Sequence, residues 1–174
     1  MYNNLIALAK TIAELDPKKP RQANLRRALS TAYYAMFHYL VDEVCCAQLG
    51  SQNAQREHRY ALARAFVHTS MKEACASFAG GTLKDAIIKG LPRDANGNYP
   101  IPSEIRNIAR TFVELQEKRH LADYDLSETF RKVEVLRLIE QAELHVKDFQ
   151  QLAVSDTRKF FLACLWAYKE LKSR

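Results

Sequence analysis

Two short segments hold residue types whose spacing could do chemistry. The first is Gln116 to Asp125, QEKRHLADYD, where Arg119, His120, Asp123 and Tyr124 stand close together. A guanidinium presents a planar fork of donors suited to phosphate or carboxylate. An imidazole exchanges protons near neutral pH. The second segment runs from Leu25 to His38. There Arg27, Thr31, Tyr34 and His38 recur at i, i+4, i+7 and i+11, a narrow stripe on one helix face. Brought together, Arg119, His120, Asp123 and Tyr124 would form one side of a pocket for an anionic ligand, with Arg27, Tyr34 and His38 as its other wall. Each set also has a purely structural reading. Arg119 falls four residues after Leu115, where an apolar residue is due, and Asp123 four residues later could neutralise it as an internal ion pair. The second stripe could equally be a solvated face.

These side chains depend on helices to position them, and the apolar periodicity predicts five or six. The first covers about Asn3 to Leu15, with Leu5, Leu8, Ile12 and Leu15 on one apolar face, and stops at Asp16-Pro17. The second runs from about Arg21 to Leu49, with Leu25, Ala28, Leu29, Ala32, Met36 and Leu40 as its core stripe and Gly50 as its C′ residue. A third spans about Asn53 to Phe66, and a fourth Met71 to Phe78. An irregular insertion, about 79–103, collects most of the Gly and Pro, with one helical turn expected around Leu83 to Lys89. Its Asp94-Ala95-Asn96-Gly97-Asn98 run has the wrong ligand order for a calcium loop and lacks the closing Glu. Ser103 reads as the cap of a helix that runs to about Leu121, whose buried face is Ile105, Ile108, Phe112 and Leu115. Asp125 with Glu128 reads as a capping box for the next helix, which continues to about Leu152. A last helix covers Asp156 to Leu171. The expectation is an all-α, antiparallel up-and-down bundle forming one domain over 1–174, with its core at about 5–149 and an additional C-terminal helix.

Composition narrows the function classes. The 174 residues are 48% hydrophobic and 26% charged, which excludes a disordered chain. Lys and Arg total 26 against 20 Asp and Glu, a net charge of +6 that permits an anionic partner without requiring one. The N-terminus lacks a signal-peptide pattern, and no apolar run reaches the roughly 18 residues of a membrane span. None of the four Cys is in CxxC spacing, so reduced structural thiols and a cytoplasmic location are expected. HExxH, a Walker loop, GxSxG and paired His/Cys ligand spacing are all missing, and no metal or cofactor is expected.

Arg26-Arg27-Ala28-Leu29-Ser30-Thr31-Ala32-Tyr33-Tyr34-Ala35-Met36-Phe37-His38, followed by Arg119-His120-Leu121-Ala122-Asp123-Tyr124-Asp125, resembles the small stand-alone prokaryotic HEPN-domain proteins. The resemblance covers about Leu5 to Phe149. It implies an antiparallel helical bundle that commonly dimerises and binds RNA or nucleotides. It also implies a metal-independent ribonuclease, or the toxin half of a pair with a small nucleotidyltransferase. On the family's nuclease motif, Arg119 would hold the scissile phosphate, with His120 and Tyr124 beside it. The position where that motif carries its catalytic His is occupied here by Tyr124 and Asp125. Arg27, Tyr34, His38 and Asp123 would form the remainder of a ligand pocket. The alternative is a non-catalytic module for protein interaction or dimerisation.

Overall fold

The computed structural model describes residues 1–80, 83 and 93–172. Among these, secondary structure is entirely helical: α1 (Tyr2–Glu14), α2 (Gln22–Leu49), α3 (Arg56–Ala63), α4 (His68–Ala79), α5 (Ser103–Tyr124), α6 (Lys132–Gln151) and α7 (Asp156–Lys172). A 3₁₀ turn, Asn53–Gln55, precedes α3. Apart from Leu83, the expected turn at Leu83 to Lys89 lies outside the described residues. No helix among them is long and apolar enough to cross a membrane.

The chain packs as two compact units, Met1–Tyr39 with Thr111–Gln150 and Leu40–Arg110 with Gln151–Arg174. In the first unit, α1, the N-terminal part of α2, the C-terminal part of α5 and α6 supply the core. Leu25, Ala28, Leu29, Ala32 and Met36 of α2 are buried, as their periodicity predicts, and so are Phe112 and Leu115 of α5. Val135, Leu138, Ile139, Ala142, Val146 and Phe149 give α6 its buried face. Each large apolar side chain enclosed in this way contributes about 1.5–3 kcal/mol of transfer free energy.

Helix α1 differs from the expectation in phase. Its buried residues are Ile6, Ala9 and Ala13, while Leu8 and Leu15 remain 48% and 57% exposed. Two apolar stripes adjoin on this helix, and the one bearing alanines faces the core because small side chains let helix axes approach closely. Tyr2 supports this placement by donating its hydroxyl to the Ala142 carbonyl at 3.2 Å. Lys10 adds an ion pair to Glu143 at 2.6 Å.

The start of α6 is the second difference. Asp125 does not cap a helix; its Oδ1 accepts the Ser127 N–H at 2.9 Å and hydroxyl at 2.6 Å, forming an Asx turn. The helix begins seven residues later, at Lys132. Between them the backbone is held from α2. The Gln22 side-chain amide donates to the Phe130 carbonyl at 2.9 Å and accepts the Phe130 N–H at 2.8 Å.

The second unit contains the C-terminal part of α2, the 3₁₀ turn, α3, α4, the start of α5 and α7. Gly50 follows α2 at φ +82°, a conformation a side chain resists, and its N–H bonds the Cys46 carbonyl at 2.8 Å. Helices α4 and α7 pack directly, with Phe78 edge-on to Phe161 at 4.9 Å between centroids. Arg158 of α7 pairs with Glu43 of α2 at 3.1 Å. The four cysteines are free thiols, and burial pushes Cys45 up to about 11 and Cys164 up to about 12.

Candidate functional site

The C-terminal turns of α5 lie within the first unit, together with α2. Arg119 continues the inward register of Phe112 and Leu115, so its side chain is only 20% exposed. A cation brought this far from water needs compensating groups. Its Nε lies 2.6 Å from Asp123 Oδ2, one turn on. Nη2 donates to the Tyr34 hydroxyl at 3.0 Å. The guanidinium carbon stands 5.5 Å from the Tyr34 ring centroid and 5.8 Å from those of Tyr33 and Tyr124. Cation–π attraction of this kind is worth about 0.5–2 kcal/mol per ring, depending on desolvation. Among the described residues the guanidinium makes one hydrogen bond, from Nη2.

The neighbours of Arg119 are themselves held. Ser30 donates to Asp123 Oδ1 at 2.7 Å, so both carboxylate oxygens have a partner. The His38 ring stacks on Tyr34 with centroids 6.3 Å apart. Burial, and secondarily the positive chain terminus, lower the His38 pKa below the usual imidazole value. The His120 ring lies against Tyr124 at 5.0 Å, and Tyr124 is 68% exposed.

Arg119, Asp123, Tyr34 and Tyr124 therefore form one cluster, with His38 and His120 at its two sides. Arg27 is exposed and no contact joins it to this cluster among the described residues; its carbonyl accepts the Thr31 hydroxyl at 2.8 Å. His120 reaches the cluster through Tyr124.

The reading from sequence missed Arg26 and Ser30. Arg26 places its guanidinium at the C-terminus of α5, where Nη1 donates to the carbonyls of Ala122 at 2.8 Å and Asp125 at 2.9 Å. Nη2 donates to the Glu128 carbonyl, and the Phe130 ring lies 5.5 Å away. A cation is well placed against the unsatisfied carbonyls of a helix end. The signal that could have revealed this is the spacing Gln22, Arg26, Ser30 and Tyr34, one polar residue per turn of α2. All four reach the 119–130 segment.

Two further polar groupings lie in the same unit. The Thr111 hydroxyl and His145 Nδ1 are 2.7 Å apart, and burial lowers the His145 pKa against a partial opposing effect of Asp148. An open depression of about 520 Å³ is lined by Glu114, Lys118, Arg131, Val133, Glu134, Arg137 and Leu138. Arg137 and Arg131 there pair with Glu114 and Glu134 at 3.0 and 2.8 Å. Among the described residues no group of three or more His, Cys, Asp or Glu is arranged to hold a metal ion. Comparison with protein-family models, curated proteins and solved structures gave no significant match.

Proposed function

We propose that this chain is a HEPN-like, antiparallel helical-bundle protein that binds RNA or a nucleotide at the Arg119 cluster. The observation that carries the reading is a guanidinium held among three tyrosine rings, with one of its nitrogens, Nη1, outside the bonds to Tyr34 and Asp123. In this reading Nη1 takes a phosphate oxygen, and the exposed ring of Tyr124 with its His120 neighbour takes a base. Metal-independent cleavage is the further part of the proposal, with His120 as the proton-transfer group and Tyr124 beside it. A toxin role with a small nucleotidyltransferase partner belongs to the same reading.

The test is binding and cleavage of fluorescent RNA in the presence of a chelator. Arg119→Ala should weaken binding about tenfold or more, and Arg119→Lys, which keeps the charge but loses the fork, should recover only part of it. Unchanged affinity in Arg119→Ala would overturn the site. Binding retained with no product from diverse RNAs would leave the binding proposal and remove the cleavage step.

A second reading has its own support. Leu126 is 91% exposed and Val133 67%, both in the segment that follows Tyr124. They suit a protein-contact or homodimer surface. Sedimentation of wild type against Leu126→Ser/Val133→Ser tests it, with loss of self-association expected and an unchanged monomer overturning it.

A further inference from the structure

Charge is unevenly divided between the two units. The first holds 12 basic and 11 acidic residues, the second 14 basic and 9 acidic. Within the second, Arg56 to His68 contains three Arg and two His against one Glu. This stretch includes α3, which alone among the described α-helices buries no residue.

An eight-residue helix is too short to hold itself in water, and burial of an apolar face is the usual compensation. Arg59 supplies another. Its Nη1 donates to the carbonyls of Gly50 at 2.7 Å and Gln52 at 2.8 Å, tying α3 to the turn before it. The outer face is then not needed for packing. Arg56, Tyr60 and Arg64 follow one another there at i, i+4 and i+8, and all three are exposed. Arg56 donates from Nε to the Tyr60 hydroxyl at 2.8 Å and stands 5.3 Å from its ring centroid. The pair sets an exposed aromatic plane next to a cation. The Arg64 side chain makes no hydrogen bond or ion pair among the described residues.

We infer that this face binds single-stranded nucleic acid, with Arg56 and Arg64 on phosphates and a base stacked on Tyr60 between them. The two arginines are roughly 12 Å apart along the helix axis, which leaves room for that base. Alternation of cations and an exposed ring is what a single strand requires, since every base has a face to stack whatever its sequence. An acidic protein would engage the arginines but leave the ring unused. The surface shares no residue with the Arg119 cluster, so it goes beyond the function proposed above and can fail separately.

The experiment is fluorescence anisotropy of labelled oligouridine and of a duplex of equal length, across about 50–200 mM salt. Wild type should prefer the single strand. Tyr60→Ala should weaken oligouridine binding by about fivefold to tenfold or more, with Tyr60→Trp restoring it. Arg56→Ala/Arg64→Ala should reduce the salt slope by about 1.4, or 0.7 for each lost phosphate contact. Circular dichroism should be unchanged in all variants, because the substituted side chains are exposed. Wild-type affinity and slope in these variants, with Arg119→Ala impaired, would overturn this surface and leave the Arg119 site standing. Equal competition by polyglutamate and unlabelled oligouridine would also overturn it, in favour of an acidic protein partner.

Discussion

Arg119 and Asp123 are joined by charge within one helix turn, and each is also held by a hydroxyl from α2, Tyr34 for the cation and Ser30 for the anion. Removing one charge leaves the other partly buried with half its partners, so the two substitutions should not add. A double-mutant cycle with Arg119→Met and Asp123→Asn, read from urea unfolding, should give a coupling of about 1 kcal/mol. Additivity would mean that the hydroxyls alone hold the pair. His38 and His145 make a pH prediction. Burial lowers both pKa values in the folded chain, whereas the unfolded chain titrates near the reference value of about 6.5. Their contribution to stability is therefore fully present above about pH 6.5 and is lost as pH falls through that value toward the folded pKa. The urea midpoint should drop across this window, and His38→Gln/His145→Gln should flatten the drop. An equally steep curve in the double variant would assign the effect elsewhere.

At the scale of elements, α2 is the organising piece. Its apolar stripe faces the core, and its Gln22, Arg26, Ser30 and Tyr34 meet the end of α5 and the connection to α6. Arg26→Ala should cost about 2–4 kcal/mol, since it strips carbonyls at a helix end of a charged donor. Arg27→Ala, one residue on and exposed, should stay within about 0.5 kcal/mol; thermal melts of the two variants compare them directly. The core faces of α2 and α5 were legible in the sequence because one stripe on each is strongly apolar and flanked by polar residues. Helix α1 was not, because Leu5, Leu8, Ile12 and Leu15 form a longer stripe than Ile6, Ala9 and Ala13, and nothing local says that closeness outweighs size. The start of α6 was misread for a related reason. Asp125 and Glu128 have capping-box spacing, but the contacts that keep this segment out of a helix come from Gln22 and Arg26, about a hundred residues earlier. The inward register of Arg119 could be read from its distance to Leu115, while the tyrosines around it are brought by a different helix. Arg27 shares the i, i+4, i+7, i+11 stripe of Thr31, Tyr34 and His38, but the side chains that meet the end of α5 follow the neighbouring stripe of Gln22, Arg26, Ser30 and Tyr34.

Across the whole molecule the cysteines report on packing. Cys75 and Cys164 are buried, and burial raises both thiols above the ordinary range. The thiolate is the reactive form, so both should resist a disulfide reagent at about pH 8 until the protein unfolds. Cys46, which is partly exposed and less shielded, should react first. Mass-resolved labelling over time would show the order, and rapid modification of Cys75 in native protein would contradict the α4–α7 packing. Charge is the other property of this scale. The first unit, with the Arg119 cluster, is nearly balanced, and the excess lies in the second. A ligand meeting the first unit is thus selected by local geometry more than by long-range attraction.

The clasp of Gln22 on Phe130 has a practical corollary. A side-chain amide there takes both polar groups of one backbone unit, as a neighbouring strand would, some hundred residues away in sequence. For the Phe130 amide hydrogen to swap with solvent deuterium, that grip must release, and the carbonyls held by Arg26 are on the same short connection. Exchange at this single amide becomes a gauge of how tightly the tyrosine-lined end of α5 is shut, readable without any ligand in hand. A compound that settles on Arg119 should slow it, and loss of the Arg26 side chain should speed it.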